Sequence, residues 1–126
     1  FDSREPSDYL PHRYPTNSIC YTGTHDNAPL VLWREEATEA ELAFAKTYLG
    51  LNEEEGFCSG LLRGGMGCGS RLFIAQMQDW LEAGVGSRMN TPGTSSGNWQ
   101  WRMLPGEASK TLAERIREMT RIYGRL

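Results

Sequence analysis

Cys20-Tyr21-Thr22-Gly23-Thr24-His25-Asp26-Asn27 is the stretch on which the fold turns. It begins as a strand, with Ile19 and Tyr21 on one face and Cys20 and Thr22 on the other. Gly23 then breaks the run, and an imidazole and a carboxylate follow side by side. In parallel α/β folds such groups gather at the carboxyl ends of strands, because helices cover the sheet faces and leave the tips open. The same residues admit a plainer reading, a polar loop in which Asp26 caps the next helix.

Downstream, Leu30, Val31, Leu32 and Trp33 form an apolar group that packs the base of the loop and begins a helix, with Trp33 in the core. The clearest helix is predicted over 38–49. Thr38 and Glu41 make a capping box, Leu42, Ala45 and Leu49 recur at helical spacing beside Phe44 and Tyr48, and Gly50 stops the run. Glu53-Glu54-Glu55 reads as a solvated turn or helix start. Residues 57–71 are ambiguous: Leu61, Leu62 and Met66 favour a helix, whereas each interior glycine costs about 1 kcal/mol against alanine. Without the Gly-Lys-Ser/Thr ending of a phosphate loop, these small residues are expected to let a helix press against a sheet.

Residues 72–77 predict a second, buried strand, ending in Gln78-Asp79-Trp80. Strand, helices and strand in that order predict a βαβ unit with a long crossover. Residues 84–106 are dense in turn formers, and a loop of that length is usually functional or disordered. Trp99 and Trp101 argue against disorder, and their alternation turns at least one toward a core. A closing helix follows over 108–123, with Leu112, Ile116, Met119 and Tyr123 as its apolar stripe and its arginines mostly outside that stripe. Upstream, residues 1–16 read as loop because of Pro6, Pro11 and Pro15, with Phe1-Asp2 as the last step of a strand and Leu10-Pro11-His12 as an extended connector.

The totals fit one globular domain: 126 residues, 39% hydrophobic and 23% charged. A net charge of −3 lacks the basic footprint of a nucleic-acid or anionic-membrane partner. No apolar run reaches the roughly 20 residues of a membrane span. Three cysteines without a CxxC pair fit free thiols in a reducing compartment, and the two histidines, His12 and His25, do not make a metal pair. A first residue other than Met, with the densest motif complete by Asn27, is what a piece of a longer chain would show.

Tyr21-Thr22-Gly23-Thr24-His25-Asp26-Asn27 resembles the signature of the 4-alpha-glucanotransferases (amylomaltases or disproportionating enzymes, glycoside hydrolase family 77). Three further blocks agree in the same order. They are Phe1-Asp2 leading to Tyr9-Leu10-Pro11-His12-Arg13-Tyr14-Pro15, where the family usually has Asn in place of the Arg; Gln76-Met77-Gln78-Asp79; and Arg88-Met89-Asn90-Thr91-Pro92-Gly93 followed by Asn98-Trp99-Gln100-Trp101-Arg102.

The resemblance implies an α/β fold, the C-terminal portion of a (β/α)8 barrel. Residues 17–22 would be its seventh strand, 72–77 its eighth and 108–123 its closing helix, incomplete as an independent fold. It implies transfer of α-1,4-glucan segments between sugars by a retaining mechanism, with nucleophile and acid/base upstream of residue 1. The isolated chain would then be inactive, and the rest of the barrel is its implied partner. On the same resemblance Asp26 is the third essential carboxylate, gripping donor-sugar hydroxyls and stabilising the oxocarbenium-like transition state. His25 and Asn90 are substrate contacts, and Tyr21 and Trp99 serve in packing, with stacking on the substrate as the alternative for both. The implied substrate is an α-1,4-glucan or maltooligosaccharide, the location cytoplasmic, with no cofactor and no metal. Two departures stand out: Ala28-Pro29-Leu30 follows Asn27 where an acidic residue is common, and glycines at 64–69 replace better helix formers, which would leave that helix weak. The alternatives are a non-catalytic α-glucan-binding module without nucleophile or acid/base, and a hydrolase in which water takes the acceptor's place.

Overall fold

The computed structural model describes residues 1 and 7–126. Asp2 and Pro6, which entered the readings of an N-terminal strand end and loop, lie outside the described residues. Two short strands, β1 (Ile19–Tyr21) and β2 (Leu72–Ile74), pair in parallel, with Cys20 opposite Phe73. Between them lie three helices, α1 (Leu30–Glu36), α2 (Glu39–Leu49) and α3 (Phe57–Met66). A single turn, α4 (Met77–Trp80), follows β2, and α5 (Lys110–Ile122) closes the chain. This is the expected βαβ crossover in a mixed α/β chain.

Local chemistry explains α2 at both ends. Thr38 Oγ1 accepts from the Glu41 amide at 3.3 Å while the Glu41 carboxylate accepts from the Thr38 amide at 2.8 Å. Gly50 leaves the helix at φ 63°, a conformation that glycine adopts without a Cβ clash. The predicted bounds of α5 are likewise close, because Ser109 Oγ accepts from Leu112 N–H at 3.1 Å and sets its start.

The ambiguous stretch is resolved as the central helix of the molecule. Cys58 and Leu61 of α3 pack with Leu30, Trp33 and Phe57. Leu62 and Met66 pack on the other side with Trp80, Phe73 and the Leu112, Ile116 and Met119 stripe of α5. A Cβ at Gly65 would run into the Phe73 ring, one at Gly60 into Leu51, and one at Gly64 would meet Leu49 at 2.6 Å. Close approach to strand and helix is therefore what these glycines provide. Their propensity cost, about 1 kcal/mol each, is outweighed by burial of Leu61, Leu62 and Met66 at about 1.5–3 kcal/mol each.

Several expectations need correction. The strand predicted over 72–77 ends at Ile74, because Met77 already begins α4. It is not covered on both faces: Ile19, Tyr21, Leu72 and Ile74 share one face and are exposed in this chain. The Leu10-Pro11-His12 connector contains a 3-10 turn over Pro11–Arg13, where proline at the first helical position costs no hydrogen bond. Glu55 is not simply solvated, since Arg63 Nε and Nη2 grip its carboxylate at 2.6 and 2.9 Å. Among the described residues no helix is long and apolar enough to cross a membrane.

Candidate functional site

Two turns meet beyond the carboxyl end of β1. In the first, Asn27 Oδ1 accepts from the Thr24 amide at 2.8 Å and the Thr24 hydroxyl at 2.9 Å, while the Asn27 amide donates back to Thr24 O at 3.1 Å. This closed turn carries His25 and Asp26 between its bonded corners. The second turn lies within the 84–106 loop, which has neither helix nor strand but is tied to itself. Asn98 Oδ1 accepts from the Thr91 amide at 2.9 Å, Thr94 Oγ1 donates to Thr91 O at 2.7 Å, and the Trp99 amide donates to Met89 O at 2.6 Å.

The structure brings His25, Asp26 and Asn90 together. Asn90 Nδ2 donates to Asp26 Oδ1 at 2.6 Å, and its backbone amide donates to His25 O at 3.1 Å. His25 Nε2 lies 3.3 Å from the same carboxylate oxygen. Among the described residues Asp26 Oδ2 takes no hydrogen bond, and the side chain is 48% exposed. A carboxylate held by one oxygen and open at the other can accept hydrogen bonds from a ligand's hydroxyls without first breaking its own.

The capping alternative for Asp26 fails. Helix α1 starts after Pro29 with no side-chain cap from its own sequence. Its first amide, Leu30 N–H, donates instead to Asp79 Oδ1 at 2.8 Å, and Thr22 Oγ1 donates to Asp79 Oδ2 at 2.5 Å. Asp79 is 1% exposed, and burial pushes its carboxyl above the usual range, opposed by the Leu30 and Thr22 hydrogen bonds. It binds the end of β1, the start of α1 and α4 into one unit, a role that sequence reading missed because its partners are 49 and 57 residues away.

Trp99 lies at the same edge as His25. It is 56% exposed, and its ring lies 5.0 Å from that of His25, so it belongs to the site's surface rather than to packing. Its φ of 62° is a left-handed conformation that costs a non-glycine residue energy, here held by the bond from its amide to Met89. Trp101 is the half-buried one of the pair. A second residue that sequence reading missed is Arg88. Its Nη2 donates to Asp26 O at 2.8 Å and its Nε to Asn90 O at 3.0 Å.

Other reactive groups are out of play. Burial pushes the Cys20 thiol up to about 12 and the Cys58 thiol up to about 11, which keeps both protonated and inert. Among the described residues no cluster of three or more His, Cys, Asp or Glu side chains has the geometry to hold a metal ion. A cavity of about 650 Å3 adjoins the cluster, with Asp26, Asn27 and Arg88 among its polar lining and Trp33, Leu61 and Phe73 among its apolar lining.

Known proteins share this arrangement of chain. The family described as 4-alpha-glucanotransferase, glycoside hydrolase 77, matches over residues 1–108. A 4-alpha-glucanotransferase of Clostridium butyricum is 42% identical over 98% of the chain and 25% of its own length. That of Thermus thermophilus is 41% identical over 100% of the chain and 27% of its own length. In three dimensions the chain is similar to an amylomaltase from Streptococcus agalactiae, solved in complex with acarbose. The TM-score is 0.93 at 37% identity, over 98% of this chain and 25% of that one. The chain thus spans about a quarter of the length of the relatives it matches.

Proposed function

The chain belongs to the 4-alpha-glucanotransferase family, and from that premise we propose that the protein carrying it transfers segments of α-1,4-glucans to the 4-hydroxyl of an acceptor sugar. In this reading β1 and β2 are the seventh and eighth strands of a (β/α)8 barrel, and residues 1–126 are a C-terminal portion of its catalytic domain. The open face of Ile19, Tyr21, Leu72 and Ile74 then turns toward the barrel interior, where the remaining strands cover it. The protein acts in the cytoplasm, a location that three free, buried thiols suit.

The observation that carries the reading is the Asp26 carboxylate, fixed through Oδ1 by Asn90 and His25 at the carboxyl end of a parallel strand. In a retaining transfer one carboxylate attacks the sugar and another donates and removes the proton. Both belong to the part of the barrel outside this chain. Asp26 performs neither step. Its charge stabilises the positive charge that develops on the ring, and its open oxygen binds the donor sugar's hydroxyls, more tightly as the transition state forms. His25 sits at the same edge and offers a ring N–H to that sugar, while Asn90 holds the carboxylate and reaches the substrate with its remaining amide groups.

Incubating the full-length protein with maltotriose tests this directly. Glucose together with chains longer than maltotriose is the expected product pattern. Shortening without any longer product would make the protein a hydrolase. Binding of maltooligosaccharides with no change in their lengths would make it a glucan-binding module.

Asn90→Ala removes the hydrogen bond to Asp26 at a half-exposed position. Bonds to charged groups are worth about 1.5–3 kcal/mol, and solvent access favours the lower end, so turnover on short maltooligosaccharides is expected to fall about tenfold. Unchanged kinetics would leave Asn90 with a scaffold role only.

A further inference from the structure

Asp26 stands on a turn that is closed on itself, and Asn90 on another. What sets the carboxylate's position is therefore the joint between the two turns. Three hydrogen bonds make that joint: Asn90 Nδ2 to Asp26 Oδ1, the Asn90 amide to His25 O, and Arg88 Nη2 to Asp26 O. Only the last comes from a group that also bonds Asn90, through Nε to Asn90 O. The planar guanidinium thus fixes the separation of the two main-chain segments whose side chains face each other. Among the described residues it has no carboxylate partner that would explain its placement by charge pairing. Its two acceptors are backbone carbonyls, which report position rather than charge.

We propose that Arg88 is a positioning residue of the transfer reaction, holding Asp26 at the distance from Asn90 at which its open oxygen meets the donor sugar. The inference rests on the reading of Asp26 given above. In this role Arg88 acts through Asp26, although it also lines the cavity beside the site. A lysine at this position would reach one carbonyl but has no rigid fork to span two. Misplacement of a reacting group by about 1 Å can cost on the order of a hundredfold in rate.

The test uses the full-length protein with maltotriose and measures kcat, KM and the thermal midpoint for Arg88→Met, Arg88→Lys, Asp26→Asn and the double variant Arg88→Met with Asp26→Asn. Arg88→Met is expected to lower kcat by roughly tenfold to a hundredfold, with KM changed by about threefold or less. Arg88→Lys should recover part of that loss. Should Arg88→Met fail to fold, Arg88→Lys carries the test, with an expected several-fold fall in kcat at an unchanged midpoint. In the Asp26→Asn background Arg88→Met should cost about twofold or less, because a positioning residue has nothing left to position. Equal losses in both backgrounds, or a normal kcat for Arg88→Met and Arg88→Lys beside a collapsed one for Asp26→Asn, would overturn the inference alone. Near-normal turnover of Asp26→Asn would overturn the reading beneath it, and the inference with it.

Discussion

Asp26→Asn in the full-length protein is expected to lower kcat by on the order of a hundredfold or more, about 3 kcal/mol of transition-state stabilisation. The substitution keeps the shape of the side chain. Its carbonyl oxygen still accepts from Asn90, so the joint between the two turns survives. What disappears is the negative charge beside the sugar ring, and the new amide points donors at hydroxyls that were themselves donating. KM should change much less than kcat, since the lost interaction is strongest in the transition state. The thermal midpoint should barely move, because α1 is capped by Asp79 and not by Asp26. Steady-state kinetics with a melting curve decide the matter. Turnover near wild type would remove Asp26 from the reaction, and a large drop in the midpoint would show a structural duty that the hydrogen bonds here do not assign to it.

The second large effect is on stability. Asp79→Ala strips the acceptors from Leu30 N–H and from the Thr22 hydroxyl, both at the closed base of the site. A buried donor left without a partner costs about 1–3 kcal/mol. Leu30 N–H is buried and the Thr22 hydroxyl half-buried, so a loss of roughly 2–4 kcal/mol is expected, seen as a thermal midpoint several degrees lower in the full-length protein. Asp79→Asn should retain most of the stability, since its amide oxygen still serves Leu30 and its NH2 can donate to Thr22 Oγ1. The pH dependence separates the two carboxyl forms. The folded-state pKa of Asp79 lies above its ordinary value, so its contribution is fully present below that ordinary value and is lost as pH rises through the raised one. Acidification from neutral pH should therefore shift the difference between wild type and Asp79→Asn in favour of wild type. A constant difference across that range would mean that the Asp79 carboxyl is not raised by burial.

Where one element's whole instruction lies within a few residues, it is legible in the chain. Thr38 and Glu41 are three positions apart, and their reciprocal bonds start α2 where the sequence says; Gly50 ends it by its own backbone freedom. The strand-glycine-polar order of residues 19–27 places His25 and Asp26 past a strand end by the same local logic, and the Arg88–Gly93 block supplies Asn90. Through its resemblance this order also carried the family. Two carboxylates past parallel strands, Asp26 and Asp79, look alike in sequence. Only the tertiary structure divides their duties, turning Asp79 inward onto Leu30 and Thr22 and leaving Asp26 open beside Asn90. The glycines of α3 argue against a helix until Phe73, Leu49 and Leu51 are brought against them. Arg88 is one arginine among several until the fold sets Asp26 O before it. The reason is common to all three: a hydrogen bond or a close contact acts over a few ångströms of space, and these partners lie roughly 10 to 60 residues apart along the chain, brought together by burial of the apolar side chains of α3.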